Sequence, residues 1–322
     1  MKNILKIFVT VFALNVFSTP AFSSDTVRIA LPSWVTAQAI AHLLGEIITS
    51  RLGLKVEYVA SDNETIFKAM DEGKEKIDIH PDVWLPNQKA LVEKYVDEAK
   101  TVTLSPNSYE GEVGFCVTEK FAKAHKIESV KDLHRPNVAS LMDSDGDGKG
   151  EIWIGAEGWA SANVNEVKVR DYGLLKYFKP IRAGGDFRDA RIKESIAKKK
   201  GYAFYCNTPS AMWFMFDIVM LKEPRYHPAR HRMIQPYEDP DWYNKSRVKS
   251  KDANKKIQIA WSNSLETRVP GVLKLLSNFS VTSYDVSSLA YEISVKNRAP
   301  NDVAKDWIWS NNELVNQMLY AR

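Results

Sequence analysis

The segment TVRIALPSWVTAQAIAHLLGEIITSRLGLKVEYVAS, residues 26–61, decides the fold class because its hydrophobic period changes twice. TVRIALPSW has the period of about two residues that is typical of a strand. Residues 38–52 follow the helical period of about 3.6, and LKVEYVAS, after the turn signal Gly53, returns to the strand pattern. A strand, a helix and a second strand in this order predict a βαβ unit of a parallel sheet.

The same alternation continues along the chain. NETIFKAMDEGKE indicates a helix, KIDIHPDVW a strand and LPNQKALVEKYVDEA another helix. A second series starts at GEVGFCVTEK and reaches the strand YAFYCN, and KIQIAWSNS then precedes further helical stretches. The segment from about Leu221 to Lys256 is rich in Pro, Arg and Lys and predicts an irregular connection. The order predicts two α/β lobes, with the carboxyl end returning to the first lobe.

Composition limits the possible functions. The 322 residues are 44% hydrophobic and 26% charged, which is typical of a globular chain long enough for two lobes. Residues 1–23 carry two lysines, an apolar run and small residues near Ser23, the pattern of a secretory signal peptide. An amino-terminal membrane anchor is the alternative, but the apolar run is short for a span. Removing the two lysines lowers the net charge from +4 to +2, too weak a bias to indicate nucleic-acid binding.

The sequence contains few signs of catalysis. HExxH, GxSxG and P-loop patterns are absent from it, and its histidines are scattered. Cys116 and Cys206 lie in apolar, strand-like runs, which suit two buried thiols as well as one disulfide in an oxidising compartment. We therefore predict an exported protein that is not an enzyme.

Tryptophans at strand ends are the strongest candidates for a binding site. Trp34 and Trp84 each follow a predicted strand, and Trp159 follows a glycine-rich turn. Ligands of doubly wound sheets bind beyond the carboxyl ends of the strands, so these rings are predicted to form an aromatic cage, with Trp213 as a possible fourth wall. Such a cage attracts a methylated cation, because the ring faces are negative. A role in the core is the alternative for each ring.

The acidic stretch DSDGDGKGE, residues 143–151, indicates a calcium site. Alternating carboxylates with a turn glycine suit a hard cation, although position 12 of the EF-hand pattern is Ile154 rather than Glu. A polar turn without a metal is the alternative. If the ion binds, it braces the backbone that leads to Trp159. The predicted ligands are Asp143, Asp145, Asp147, the Lys149 carbonyl and Glu151.

Four segments together resemble one family. They are LPSWVTAQAIAHLLGEII (31–48), IDIHPDVWLPNQ (77–88), LMDSDGDGKGEIWIGAEGWASANVNE (141–166) and YCNTPSAMW (205–213). In this order they are similar to the periplasmic substrate-binding proteins of ABC importers for glycine betaine, choline and trimethylamine N-oxide. The resemblance extends over nearly the whole chain after residue 23.

This resemblance implies a two-lobed, type II periplasmic-binding-protein fold, in which each lobe is a mainly parallel sheet flanked by helices and the ligand cleft lies between the lobes. Lobe 1 is expected to comprise residues 24–108 and 256–322, and lobe 2 residues 109–255. The family's ligand tryptophans match Trp84 and Trp159. A further family tryptophan before Thr-Pro is replaced by Asn207, so the cage must be completed by other residues. A monomer in the periplasm that delivers its ligand to a membrane permease is implied.

The crossing segment SYEGEVGF offers a candidate for ligand discrimination. A Glu112 side chain facing the cleft would repel the carboxylate of glycine betaine and favour choline or trimethylamine N-oxide. A solvent-exposed edge is the alternative for this residue.

Two other function classes stay open on the sequence alone. One is a calcium-dependent sugar-binding protein or enzyme, in which the acidic loop is the active element. The other is a receptor domain of the same fold that senses its ligand instead of importing it.

Overall fold

The segment that opens the chain's first lobe folds as a βαβ unit. The computed structural model describes residues 26–73 and 76–320, so the predicted signal peptide, residues 1–23, lies outside the described residues. Strand Val27–Leu31 leads through Trp34 into helix Val35–Leu52, which ends at Gly53. The next strand, Val56–Ala60, lies parallel to the first.

The strands are β1 Val27–Leu31, β2 Val56–Ala60, β3 Ile79–Leu85, β4 Val102–Leu104, β5 Tyr109–Thr118, β6 Gly150–Gly155, β7 Phe178–Arg182, β8 Ala203–Thr208, β9 Ile218–Met220, β10 His231–Arg232, β11 Arg247–Val248 and β12 Lys255–Ser262. The α-helices are α1 Val35–Leu52, α2 Asn63–Glu72, α3 Lys89–Val92, α4 Glu119–His125, α5 Pro136–Ser140, α6 Ala160–Asp171, α7 Gly185–Ala197, α8 Met212–Met215, α9 Trp242–Lys245, α10 Leu265–Arg268, α11 Pro270–Asn278, α12 Ser283–Ser294, α13 Pro300–Ser310 and α14 Asn312–Tyr320. A π-helical turn covers Glu93–Glu98, and 3₁₀ turns cover Val130–His134, Leu174–Lys176 and Pro228–Arg230.

The main sheet has the strand order β2-β1-β3-β12-β5-β8-β6-β7, with β4 on β12 and β9 on β5. Strands β2, β1 and β3 are parallel, and so are β8, β6 and β7. Strands β5 and β12 run antiparallel to their neighbours and pair with each other where the two parallel groups meet. The residues of β5 and β12 therefore connect two halves of the molecule. The first half is built on the parallel strands β1, β2 and β3, and the second half on the parallel strands β6, β7 and β8. The lobe boundaries given above stay a prediction.

Each half has its own apolar core. In the first half, α1 and the carboxyl-terminal helices α11 to α14 pack on β1, β3 and β12, around residues such as Ile40, Ile257 and Leu276. The second half buries Phe115, Ile152 and other side chains of β5 to β8. The carboxyl-terminal helices thus pack on the first half.

A disulfide bond cross-links two strands of the second half. It joins Cys116 of β5 to Cys206 of the neighbouring β8, with Cα atoms 5.8 Å apart. Both cysteines are fully buried. The structure thereby decides between the two thiol states that the sequence left open. No helix within residues 26–73 and 76–320 combines the length and the apolar character that crossing a bilayer requires.

Candidate ligand-binding site

A cavity of about 410 Å³ lies between the two halves of the molecule. Three of the predicted tryptophans, Trp34, Trp84 and Trp159, line it together with the buried Tyr205. Trp34 and Trp84 come from the first half, and Trp159 and Tyr205 come from the second. Four aromatic rings, two from each half, therefore line one cavity. Its volume suits a small organic ligand.

Strand β3 places the first of these rings through its alternation. Residues two apart on a strand point to the same face, so His80, Asp82 and Trp84 share one side of β3. The indole N–H of Trp84 donates a 3.0 Å hydrogen bond to Asp82 Oδ2. Trp34, which precedes the first turn of α1, donates to the same oxygen at 2.6 Å. One carboxylate therefore holds two rings of the cavity lining.

Asp82 is fully buried and accepts two further hydrogen bonds. The Thr36 hydroxyl donates to Oδ2 at 3.3 Å, and the Tyr109 hydroxyl donates to Oδ1. Burial raises the pKa of Asp82 above its ordinary value, while the hydrogen bonds from Tyr109, Trp34, Trp84 and Thr36 act in the opposite direction. Burial and the nearby Asp82 charge raise the pKa of Tyr109, which keeps this phenol a donor.

Trp159 reaches the cavity from the end of β6. Gly155 at that strand end has φ of +123° and a Cβ there would lie 3.0 Å from Ala162 Cβ, so a larger residue does not fit. The Trp159 ring lies edge-on to Trp34, with centroids 6.1 Å apart, and edge-on to the buried Trp153 at 5.8 Å. Trp153 therefore supports Trp159 from within the second half.

The second half also contributes a charged wall. The Arg188 guanidinium lies 4.9 Å from the Trp153 ring centroid and forms a 2.7 Å ion pair with Asp189. Asp186 lines the same wall. The two carboxylates outnumber the one guanidinium among the charged residues of the cavity lining.

Three helices begin at the cavity. The first residues of α1, α6 and α7 contribute Val35, Ala160 and Gly185 to its lining. Amide groups in the first turn of a helix have no partner within the helix and favour negative charge. The cavity thus combines aromatic faces with hydrogen-bond donors for an anionic or polar group.

Gln88 adds an unpaired polar side chain to the lining. It is 2% exposed, and its Oε1 has no hydrogen-bond partner within the part of the chain that the structure describes. A buried polar atom without a partner is costly, and such atoms commonly pair with a ligand or water. An amide provides both donors and acceptors, so Gln88 is suited to contact the polar end of a ligand.

Comparison with known proteins shows the family of the chain. The family described as the substrate-binding domain of ABC-type glycine betaine transport systems matches residues 25–310. The chain belongs to this family.

Solved structures show the same fold at low identity. Lactococcal OpuAC, in a closed conformation with glycine betaine, has a TM-score of 0.70 and 20% identity, covering 92% of this chain and 99% of that one. A choline-binding protein of an ABC transporter, in complex with choline, has a TM-score of 0.70 and 17% identity over 91% of both chains. ProX from Borrelia burgdorferi has a TM-score of 0.70 and 17% identity, over 92% and 97%. No curated protein sequence matches the chain.

These findings confirm the two-lobed, type II fold and the class of protein. The binding protein is a solute-binding component of an ABC importer and not an enzyme, and proteins of this class act outside the cytoplasm. The family membership does not favour the calcium-dependent sugar-binding protein or enzyme that the sequence alone left open.

Two predicted ligand residues lie elsewhere. Glu112 is exposed and outside the cavity lining, because β5 turns Tyr109 and Gly111 inward and Glu110 and Glu112 outward. A Cβ on Gly111 would lie 3.2 Å from Trp84 Cζ3, so the strand passes directly against that ring. The alternation was predicted, and the solvent-exposed edge that the sequence left open as the alternative for Glu112 is the position observed.

Trp213 is the other residue outside the cavity lining. Its indole N–H donates to the Asn207 carbonyl oxygen at 2.8 Å, and its ring packs on an apolar cluster of the second half. Tyr205, at the buried phase of β8, occupies the place of the fourth aromatic wall.

The acidic loop brings three of its predicted metal ligands together. One carboxylate oxygen from each of Asp143, Asp145 and Glu151 lies within 4.8 Å of the other two. Asp147 instead forms a 3.1 Å ion pair with Lys179, which also contacts Asp145 at 2.8 Å. The Lys149 ammonium donates to the Leu175 carbonyl oxygen.

The sequence analysis did not predict a role in the site for Asp82, Gln88 or Tyr205. A signal existed for Asp82, since a carboxylate inside the apolar strand IDIHPDVW must find partners when it is buried. Tyr205 also had a signal, because it stands in the predicted strand YAFYCN next to the resembling motif. Nothing in the local sequence distinguishes Gln88 from a surface glutamine.

Proposed function

We propose that this binding protein captures a methylated amine, such as choline, glycine betaine or trimethylamine N-oxide, in a cage formed by Trp34, Trp84, Trp159 and Tyr205. The observation that carries the proposal is the convergence of these four rings on one cavity. A trimethylated nitrogen is bulky and weakly hydrated, so aromatic faces compete well with water for it. Neutral sugars would gain less from the same lining.

The aromatic faces account for a useful affinity. Each desolvated ring contributes about 0.5–2 kcal/mol to binding a cation. Three or four such rings, with the burial of the methyl groups at about 25 cal/mol per Å², support dissociation constants in the range of about 1 μM.

The polar end of the ligand has several partners in the proposed complex. Gln88 and the first-turn amides of α1, α6 and α7 suit a hydroxyl, a carboxylate or an N-oxide oxygen. The carboxylates of Asp186 and Asp189 exceed the charge of Arg188 and favour a ligand with positive charge. Charge and donors together fit an amine with a small polar end.

Binding is proposed to couple to closure of the two halves. The cage takes Trp34 and Trp84 from the first half and Trp159 and Tyr205 from the second, so a bound cation bridges them. Strands β5 and β12, which connect the halves, are the natural hinge. We propose that the closed monomer is recognised by the permease of the importer in the periplasm, after export by the predicted signal peptide.

We also propose that the acidic loop binds calcium. Calcium takes oxygen ligands at about 2.3–2.6 Å, and carboxylate oxygens of Asp143, Asp145 and Glu151 that lie within 4.8 Å of one another fit around one such ion. The loop precedes β6, whose far end leads to Trp159, so the ion would brace that strand. Lys179 competes for Asp145 and would have to move.

Isothermal titration calorimetry with choline, glycine betaine and trimethylamine N-oxide tests the proposal. We expect micromolar binding of at least one amine. The neutral carbon analogue of choline, in which carbon replaces the nitrogen, is expected to bind at least about tenfold more weakly. Glucose is the control for the sugar-binding alternative. Failure of every methylated amine to bind would overturn the proposal.

A further inference from the structure

Asp82 is a buried carboxylate surrounded by neutral donors. It is 0% exposed, and its partners are the indole N–H groups of Trp34 and Trp84 and the hydroxyls of Thr36 and Tyr109. Within residues 26–73 and 76–320, no Lys, Arg or His forms an ion pair with it. Buried charges in proteins are usually paired with an opposite charge, so this carboxylate lacks its expected counter-ion.

The cavity is the place where a positive charge could balance the Asp82 carboxylate. Trp34 and Trp84 donate to Asp82 through their ring edges, and the same two rings line the cavity. A cation held against them lies one indole away from the carboxylate, in surroundings where charges are poorly screened. A hydrogen bond to a carboxylate also polarises the indole, which makes its face more attractive to a cation.

The four hydrogen bonds have a geometric effect as well. An indole N–H can only donate, so a fixed acceptor sets the orientation of the ring that carries it. Asp82 Oδ2 accepts from Trp34 of one segment and Trp84 of another, and thereby fixes the angle between two cage walls.

We infer that Asp82 is the counter-charge and positioning residue of the cage: it orients Trp34 and Trp84 from behind and supplies the negative charge that separates a methylated cation from a neutral molecule of the same shape. This inference rests on the proposed function. It assigns discrimination by charge to a residue that does not line the cavity.

The test compares choline with its neutral carbon analogue in the wild type and in Asp82→Asn, by calorimetry. Asparagine keeps the shape and removes the charge. We expect choline affinity to fall by about 10- to 100-fold and analogue affinity to change by less than about threefold, so the preference for choline collapses. Thr36→Val, which removes one hydrogen bond and keeps the charge, is the matched control and should keep the preference.

The outcomes distinguish a failure of the proposed function from a failure of the inference about Asp82. A wild type that binds no methylated amine overturns the proposed function together with this inference. A wild type that prefers choline, combined with an Asp82→Asn variant that keeps the preference or loses both ligands equally, overturns the inference alone. If circular dichroism shows that Asp82→Asn does not fold, Asp82→Glu decides: it keeps the charge and must keep the preference for choline even at lower affinity.

Discussion

The indole N–H of Trp159 donates a 2.9 Å hydrogen bond to the Ser33 hydroxyl, across a sequence separation of 126 residues. Ser33 belongs to the first half of the molecule and Trp159 to the second, so this bond joins the halves at the rim of the cavity. The same tryptophan contacts Trp34 edge-on. In the proposed function, closure over the ligand and formation of the cage would therefore both depend on the Trp159 side chain.

Replacing Trp159 with alanine should abolish binding and leave the fold intact. Its ring is half-buried at the cavity, whereas Trp84 is 8% exposed in the core of the first half and its removal would also cost stability. We expect choline affinity to fall by at least about 100-fold in calorimetry. Trp309→Ala, at a ring that is 84% exposed, is the matched control. Unchanged affinity in Trp159→Ala would rule out the cage.

Replacing Ser33 with alanine should weaken the closed state specifically. The variant removes one hydrogen bond between the halves and leaves the aromatic lining in place. A bond of this kind contributes about 1 kcal/mol, so the ligand should dissociate about fivefold faster with little change in the association rate. Stopped-flow tryptophan fluorescence measures both rates. An effect confined to association would contradict a closure role.

Replacing Gln88 with leucine should remove a contact to the polar end of the ligand. The side chain keeps its size, and the unpaired Oε1 disappears. We expect about tenfold weaker binding of choline and glycine betaine. Tetramethylammonium, which has no polar end, is the ligand control and should bind as tightly as to the wild type. Equal losses for all three ligands would indicate a packing role instead.

Acid should destabilise the protein through His80. This ring is fully buried, its Nδ1 accepts from the Asp82 amide and its Nε2 pairs with Asn63 Oδ1, and burial lowers its pKa from 6.5 to about 3. Between pH 6.5 and pH 3 this imidazole therefore binds a proton in the unfolded chain but not in the folded protein. The free energy of unfolding decreases as the pH falls through this range. The loss approaches about 1.4 kcal/mol per pH unit.

Denaturant titrations at several pH values measure this slope. His80→Gln should flatten it, and His227→Gln, at an exposed histidine, should not. A slope that is unchanged in His80→Gln would assign the acid sensitivity to other groups.

Calcium should raise the melting temperature of the wild type, and EDTA should lower it again. Extracellular calcium-binding modules have dissociation constants of about 0.1–1 mM, and we expect this loop to fall in that range. Glu151→Gln removes one converging carboxylate and should eliminate the shift. Lys179→Met removes the competing ammonium and should increase calcium affinity. A wild type whose melting temperature ignores calcium would mean that the loop is a polar turn.

Much of the architecture could be predicted because it is encoded locally. The change of hydrophobic period at Gly53 predicts β1, α1 and β2, and the observed elements agree to within a few residues. The sequence analysis did not predict the break at Asn311 that separates α13 from α14. Helix ends of this kind depend on packing, which a local pattern does not contain.

The site was predictable only in part, for the same reason. The positions of Trp34, Trp84 and Trp159 at strand ends follow from the order of elements, and the structure brings these three rings to one cavity. Glu112 does not line it, because alternation predicts that residues share a face and not which face is inward. Trp213 lies on the short helix α8, where its indole N–H donates to the Asn207 carbonyl oxygen instead, a contact that the local sequence does not specify.

The sequence by itself therefore determined the class of fold, the succession of strands and helices and the supply of aromatic rings, since periodicity and turn residues act over short distances. Tertiary structure alone decided that β12 returns between β3 and β5, that Cys116 meets Cys206 and that Asp82 accepts from both Trp34 and Trp84. These contacts join residues far apart in the chain, and burial and packing across the whole molecule select them.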